Sequence, residues 1–261
     1  MKLLIVAVDE PIYLNPYIGG VIDECGAEIA GVAVYRPVRR KWTAARLRRS
    51  LSFALLAALV FSPINLARII SYRLGAWFGW RPSRSLAAIC AQRGIPCTTL
   101  ATVNAPSFAA EIRTLGVDVL LHQTPEILHG EVLRAPRLGV INRHLSLLPA
   151  YRGAWPVFWQ FMAGEQRLGV TVHLVDEGVD TGAVLAQAVV ERQPQDTIAR
   201  AHERLFSHAV AVTREALARL ERGVPQRTAS FSAGAYYRTP SPSDVVGFML
   251  GRRRAPVSVK T

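Results

Sequence analysis

Cysteine is scarce: Cys25, Cys90 and Cys97 are the three in 261 residues. An odd, sparse set does not build a disulfide framework and points to a reducing compartment. Long apolar runs are missing too. The apolar segment around residues 51–61 is about a dozen residues, short of the ~20 a spanning helix needs. No Gly-x-Gly-x-x-Gly follows the first apolar run, so a dinucleotide site has no support. No Gly-x-Ser-x-Gly elbow surrounds Ser146, which excludes the usual setting of a serine nucleophile. His122, His144 and His173 show no His-x-x-x-His or paired-Cys spacing, so no metal is expected there. There are no internal repeats. The opening run Met1–Val8 ends at Asp9-Glu10 without a small-residue cleavage site, and reads as a buried strand rather than a leader.

The most uneven absence is that of acid. From Ile29 to Ala110 there is no Asp or Glu, while that stretch holds twelve Arg or Lys. The net charge of +12 therefore belongs to one region, and the rest of the chain balances. Half of the residues are apolar, enough to bury a substantial core as one domain with an appended piece.

Strands are expected at 2–8, 28–35, 95–100, 117–121, 138–142, 170–175 and 184–190. Helices are expected at 17–25, 85–93, 107–115, 126–133, 156–163 and 196–222, with a last one at 245–250. The long helix carries Ile198, Ala201, Leu205, Ala209 and Val212 at helical spacing. Strands alternating with helices predict an α/β fold, a mostly parallel open sheet flanked by helices. The expected division is a catalytic domain over 1–222 and a C-terminal extension over 223–261.

Residues 37–84 interrupt the alternation. Arg39, Arg40, Lys41, Arg46, Arg48 and Arg49 precede the apolar run, Pro63 splits it, and Trp77, Phe78 and Trp80 follow. Apolar bulk with Arg flanks and Trp suits a helix pair lying on an anionic membrane through residues 39–81. The competing reading is packing on the domain or in a homodimer. Basic charge alone would suit RNA, but the apolar content exceeds what phosphate tracking needs, so nucleic acid is not expected.

Two segments carry the chemistry. In the first, Leu138–Ile141 runs into Asn142-Arg143-His144, then Ser146-Leu147-Leu148-Pro149 and Arg152-Gly153. In the second, the strand through His173 leads into Asp176-Glu177-Gly178-Val179-Asp180-Thr181-Gly182. In a strand, residues two apart share a side, so Asn142 and His144 present an amide and an imidazole together. The turn after the second strand can bring a carboxylate back. Amide, imidazole and carboxylate at strand ends form an acyl-transfer set.

This ordered set resembles the 10-formyltetrahydrofolate-dependent formyltransferases, which act on glycinamide ribonucleotide, methionyl-tRNA or sugar nucleotides. The resemblance runs from about Asp118 to about Gln187 and implies a Rossmann-like fold. It implies catalytic roles for Asn142, His144 and Asp180. It places 10-formyltetrahydrofolate beside Pro125, Glu126, Ile127 and Leu128 and beside Val175, Asp176 and Glu177, largely through main-chain groups. Ser146, Tyr151, Arg152, Gly153 and His173 are the expected acceptor-side residues, Ser146 being read as a loop-forming or substrate-contacting hydroxyl. The basic apolar insert departs from the family pattern, where the connection is short. The expected reaction is formyl transfer to a primary amine, of an amino sugar, nucleotide- or lipid-linked, for an envelope glycan or lipid. Glycinamide ribonucleotide is the alternative; methionyl-tRNA is third, because the tail has no room for a β-barrel domain. A membrane scaffold with an inactive domain is the non-enzyme alternative, opposed by the intact triad. The expected location is the cytoplasm, on the inner face of the membrane.

Overall fold

Lys2–Ala7 (β1) is apolar on both sides, and five of its six residues are buried. A strand of that kind belongs in the middle of a parallel sheet covered on both faces. In a computed structural model, which describes residues 1–37, 56–57, 59, 63–77, 84–223 and 235–252, β1 occupies that place. The sheet has seven strands in the order β3-β2-β1-β4-β5-β7-β8. These are β2 (Glu28–Tyr35), β3 (Cys97–Leu100), β4 (Val119–Gln123), β5 (Gly139–His144), β7 (Arg167–Leu174) and β8 (Val184–Glu191). The first five are parallel, while β5–β7 and β7–β8 are antiparallel. The remaining two strands, β6 (Arg152–Gly153) and β9 (Tyr236–Tyr237), form a separate parallel pair.

Seven helices occur among the described residues: α1 (Leu14–Glu24), α2 (Pro63–Trp77), α3 (Leu86–Gln92), α4 (Pro106–Thr114), α5 (Pro156–Ala163), α6 (Ile198–Glu221) and α7 (Pro242–Met249). One core joins α1, α3, α5 and α6 to the sheet through Ile18, Leu86, Phe158, Leu205 and Leu217. The other, built on Phe108 and Ile112 of α4 with Val103, Leu128 and Val132, covers the opposite face. Local chemistry sets the helix ends. Thr197 caps α6 by accepting from the Arg200 N–H, and Ser241 and Asp244 form a capping box on α7 behind Pro242.

The strand pattern holds, with ends shifted by up to three residues. The expected helix over 126–133 does not form. Glu126 turns its carboxylate back onto the Val103 N–H and the Thr102 hydroxyl. The Asn104 side chain takes the Ile127 carbonyl and the His129 N–H. Side-chain partners consume the backbone groups a helix would have paired, and Gly130 at φ 63° completes the turn.

The basic insert divides. Arg39 to Arg49, Trp80 and most of residues 51–61 lie outside the described residues, as do the side chain of Trp77 and all of Phe78. Leu56 is fully buried in the first core and Leu59 packs against it, so this part of the apolar run is internal. Helix α2 instead leaves Ile64, Ile70 and Leu74 exposed by 67, 53 and 52%. Its other side is tied to the carboxyl end of β1: the Tyr72 hydroxyl donates to Asp9 over 2.6 Å. Asp9 also accepts from the Asn15 amide at 2.7 Å and from the Leu86 N–H at 3.1 Å, joining α1, α2 and α3 at one carboxylate. No helix among the described residues is long and apolar enough to cross a membrane.

Glu10 fills the amino end of α1. Its two oxygens accept from the N–H groups of Ile12, Tyr13 and Leu14 at 2.7, 2.9 and 3.0 Å. Free helix N–H groups attract negative charge, so this carboxylate satisfies the helix from within the chain. Glu10→Ala should lower unfolding stability by about 1–2 kcal/mol, the scale of a lost capping interaction. Urea denaturation of the two proteins measures it, and an unchanged midpoint would remove Glu10 from the capping role.

Candidate active site

The site lies where β5 meets its two neighbours. The register pairs Asn142 with His122 of β4 and with His173 of β7, and His144 with Thr171. Paired residues share a face, so Asn142, His122, His144 and His173 stand on one side of the sheet. Asn142 is half-buried, whereas the three imidazoles are buried.

Asp180 returns to this face from the loop after β7. Its φ of 52° is left-handed, and Gly182 permits the return: a Cβ there would meet the Leu174 carbonyl oxygen at 1.8 Å. One Asp180 oxygen lies 3.5 Å from His144 Nδ1 and accepts the Gly153 N–H at 2.8 Å. The other lies 3.6 Å from His173 Nε2. The far nitrogen of each ring meets a main-chain carbonyl: His144 Nε2 the Tyr151 oxygen at 2.8 Å, His173 Nδ1 the Leu174 oxygen at 2.6 Å. A carbonyl only accepts, so each of those nitrogens carries its proton. The nitrogens facing Asp180 are therefore the two that can gain a proton, with a carboxylate between them.

Electrostatics follow from this arrangement. Burial pulls His144 below its ordinary pKa of 6.5, and Asp180 works against that. Asp180 is held well below the usual carboxylate range: burial acts upward, but the adjacent His144, the His173 contact and the Gly153 N–H together outweigh it. His122 is lowered to about 4 by burial, opposed by the carboxylates of Glu126 and Asp180. Among the described residues, no group of three or more His, Cys, Asp or Glu side chains is placed to hold a metal ion.

The structure thus brings the expected Asn142, His144, Asp180 and His173 together. Tyr151, Arg152 and Gly153 belong to the neighbouring turn and β6. There the Tyr151 ring is buried, stacked 5.1 Å from Tyr237, and its hydroxyl donates to Glu165 at 2.7 Å. Its carbonyl orients His144, a main-chain role that no residue type announces. Of the two readings of Ser146, its bonds favour the loop-forming one. Its buried hydroxyl donates to the Ala150 carbonyl at 2.6 Å, and its own carbonyl accepts from Thr171. Pro125 and Ile127 are exposed, Ile127 by 59%, while Leu128 is buried in the second core and Glu126 is bound to the 102–104 turn. Val175 joins that core, and Asp176 and Glu177 are exposed on the returning loop.

Tyr236 and Gln123, which the expected set did not include, complete the site. Tyr236 lies over Gly153, where a Cβ would come within 2.9 Å of its ring, and is 59% exposed. Gly153, at φ 96°, lets the Tyr237 carbonyl approach within 2.2 Å of that missing Cβ. Gln123 donates to the Asn142 side-chain oxygen at 2.7 Å. Backbone strain collects here: the non-glycine residues with positive φ among those described are Tyr151, Trp155 and Asp180.

The arrangement can place an amide donor beside a developing oxyanion and accept a proton where a carboxylate stabilises it. Residues 89–217 match the family model described as formyl transferase. The chain is 39% identical over 158 residues to a methionyl-tRNA formyltransferase of Phenylobacterium zucineum, covering 60% of this chain and 51% of that protein. To one from Synechococcus sp. it is 42% identical over 119 residues, covering 45% of this chain and 37% of that protein. The chain thus spans about half or less of these curated relatives. A glycinamide ribonucleotide transformylase from Symbiobacterium toebii superposes with TM-score 0.60 at 18% identity, over 85% of this chain and 88% of that one. A sugar N-formyltransferase from Shewanella sp. does so with TM-score 0.56 at 19% identity, over 91% and 76%. At these identities the two structures speak for the fold.

The carboxylate between two rings has a measurable signature. In Asp180→Asn the pKa of His144 should fall further below 6.5, because the negative charge that favours the imidazolium is gone. An NMR titration of the ring protons reads this, and a rise or no change would contradict the pairing.

Proposed function

Because the chain belongs to the formyl transferase family, we propose that it transfers a formyl group from 10-formyltetrahydrofolate to a primary amine, with Asn142, His144 and Asp180 as its catalytic residues. The observation carrying this reading is the convergence of those three side chains at the end of β5. The folate supplies the formyl group on its N10. Exposed Ile127, the backbone from Pro125 to Leu128 and the loop from Val175 to Glu177 fit a flat, half-apolar ring with polar edges.

Asn142 donates an N–H to the formyl oxygen as the amine attacks and negative charge develops there. The proton lost by the amine passes to the imidazole pair, where Asp180 offsets the positive charge. It ends on the folate nitrogen as the bond to the formyl carbon breaks. Gly153 N–H and the Tyr151 carbonyl hold carboxylate and imidazole in place throughout.

An amino sugar, nucleotide- or lipid-linked, is the acceptor class that the surroundings favour. The exposed Tyr236 ring beside Gly153 offers an aromatic face to the apolar side of a sugar ring. A phosphoribosyl acceptor is disfavoured at the first strand–helix turn. Open α/β folds hold phosphate at such helix starts, but Glu10 already occupies this one. The methionyl-tRNA activity named for the relatives is the competing acceptor, and an acceptor panel separates the three.

Asn142→Ala should lower tetrahydrofolate formation by roughly two to three powers of ten while leaving folding intact, as for a lost oxyanion donor. Near-normal turnover would remove Asn142 from the mechanism. In Asp180→Asn, turnover should fall comparably and the acid limb of the pH–rate profile should move to lower pH, following His144.

The exposed apolar side of α2, in a stretch without acids, supports peripheral attachment to an anionic membrane. Its tie to Asp9 would then put the catalytic edge close to a lipid-linked acceptor. The protein should cosediment with anionic vesicles at low salt and be released by salt. Ile70→Ser with Leu74→Ser should weaken binding and spare turnover of a short soluble amine. Wild-type protein left in the supernatant would end this reading; a dimer that the double substitution splits, seen by light scattering, would replace it.

A further inference from the structure

An oxyanion donor works only if its N–H, and not its carbonyl, faces the reacting atom. The Asn142 amide could present either, since the two ends are nearly the same shape. Its rotation has to be imposed from outside the site.

Arg143, the middle residue of Asn142-Arg143-His144, supplies the first fixed point. Its guanidinium carries only donors, and Nε and Nη2 lie 3.0 and 2.9 Å from Gln123 Oε1. That end of Gln123 must be the oxygen. Gln123 Nε2 then faces two acceptors at 2.7 Å each: the His122 carbonyl and Asn142 Oδ1. The His122 carbonyl can only accept, so it fixes the same orientation from the other end. With its oxygen held by Gln123, Asn142 has its NH2 left for the site.

We propose that Arg143 and Gln123 are positioning residues for formyl transfer, holding the Asn142 amide with its N–H toward the reacting carbonyl. This rests on the formyl-transfer reading. The arginine is a costly device. It lies beneath α1 and α6, 5.0 Å above the Tyr17 ring and 4.2 Å from that of Phe206. No carboxylate among the described residues lies within ion-pair distance of it, and its buried Nη1 has no hydrogen-bond partner. Burial lowers its pKa to about 10, which leaves it charged at neutral pH. Taking a cation out of water with no ion-pair partner costs stability. Here its charge polarises the Gln123 amide, which in turn polarises Asn142 and strengthens the donor at the far end of the chain.

Gln123→Glu keeps size, and its carboxylate pairs with Arg143, so it folds even where Arg143→Met does not. The carboxylate has no N–H for Asn142 Oδ1 and instead draws the Asn142 NH2 inward. Turnover should fall about as far as in Asn142→Ala, with KM for the folate within about twofold. In the Asn142→Ala background, Gln123→Glu and Arg143→Met should add nothing, because all act through one group. Independent, multiplying losses, or wild-type turnover in Gln123→Glu, would overturn the proposal. The Asn142 side-chain amide signals, assigned by their loss in Asn142→Ala, give a readout free of activity. They should shift in Gln123→Glu, and unmoved signals would also overturn it. A wild-type protein that released no tetrahydrofolate with any amine would sink the formyl-transfer reading instead, while the amide signals still decided the orientation.

Discussion

A single carboxylate holds the candidate active site together. Asp180 takes the Gly153 N–H and sits 3.5–3.6 Å from one nitrogen each of His144 and His173. Those three contacts come from three separate parts of the chain. Removing a buried charge from among such partners leaves donors without acceptors, which costs more than the pairing itself gains. The strain accepted around it fits that importance: Asp180 and Tyr151 both hold left-handed backbone. The parallel sheet, the β5–β7 register and the glycine return at Gly182 all serve to bring this oxygen pair to its place.

Much of this was legible in the sequence, and the parts that were not share a physical cause. Alternation of apolar strands and helices gave the sheet, because burial on two faces leaves a composition signature. That Asn142, His144 and Asp180 share one end of the sheet could be read from residue type and spacing, since a side chain announces itself in the sequence. The Tyr151 carbonyl and the Gly153 N–H could not, because every residue carries those groups. Gln123 was passed over because its meaning comes from Arg143, twenty residues on and one strand across. The helix expected over 126–133 failed for a related reason: the Asn104 side chain takes its backbone groups at Ile127 and His129 while the Glu126 carboxylate takes the Val103 N–H, a long-range exchange that local periodicity does not contain.

The acid-free stretch also resolved into unlike parts. Charge and apolar content made residues 39–81 look uniform, yet Leu56 is sealed in the core while Ile64 and Ile70 face outward. Composition reports what a segment contains, and burial depends on which side of each helix finds a partner. The tie from Tyr72 to Asp9 adds a constraint of its own. Asp9 leads directly into Glu10, so the insert and the start of α1 are fixed by adjacent residues. The insert is therefore tied to the carboxyl end of β1, beside the end of β4 that carries Gln123.

The pairing of β6 with β9 has a consequence in time. Gly153, which anchors Asp180, is held by a strand at 236–237, and the Ala154 N–H bonds to the Tyr237 carbonyl. Proteins emerge from the ribosome amino end first, and earlier segments begin to fold while later ones are being made. The seven-stranded sheet has its full set of strands once residue 191 is available, long before Tyr236 and Tyr237 arrive. The nascent chain therefore passes through a stage in which its architecture is present and the strand that holds Gly153 is not.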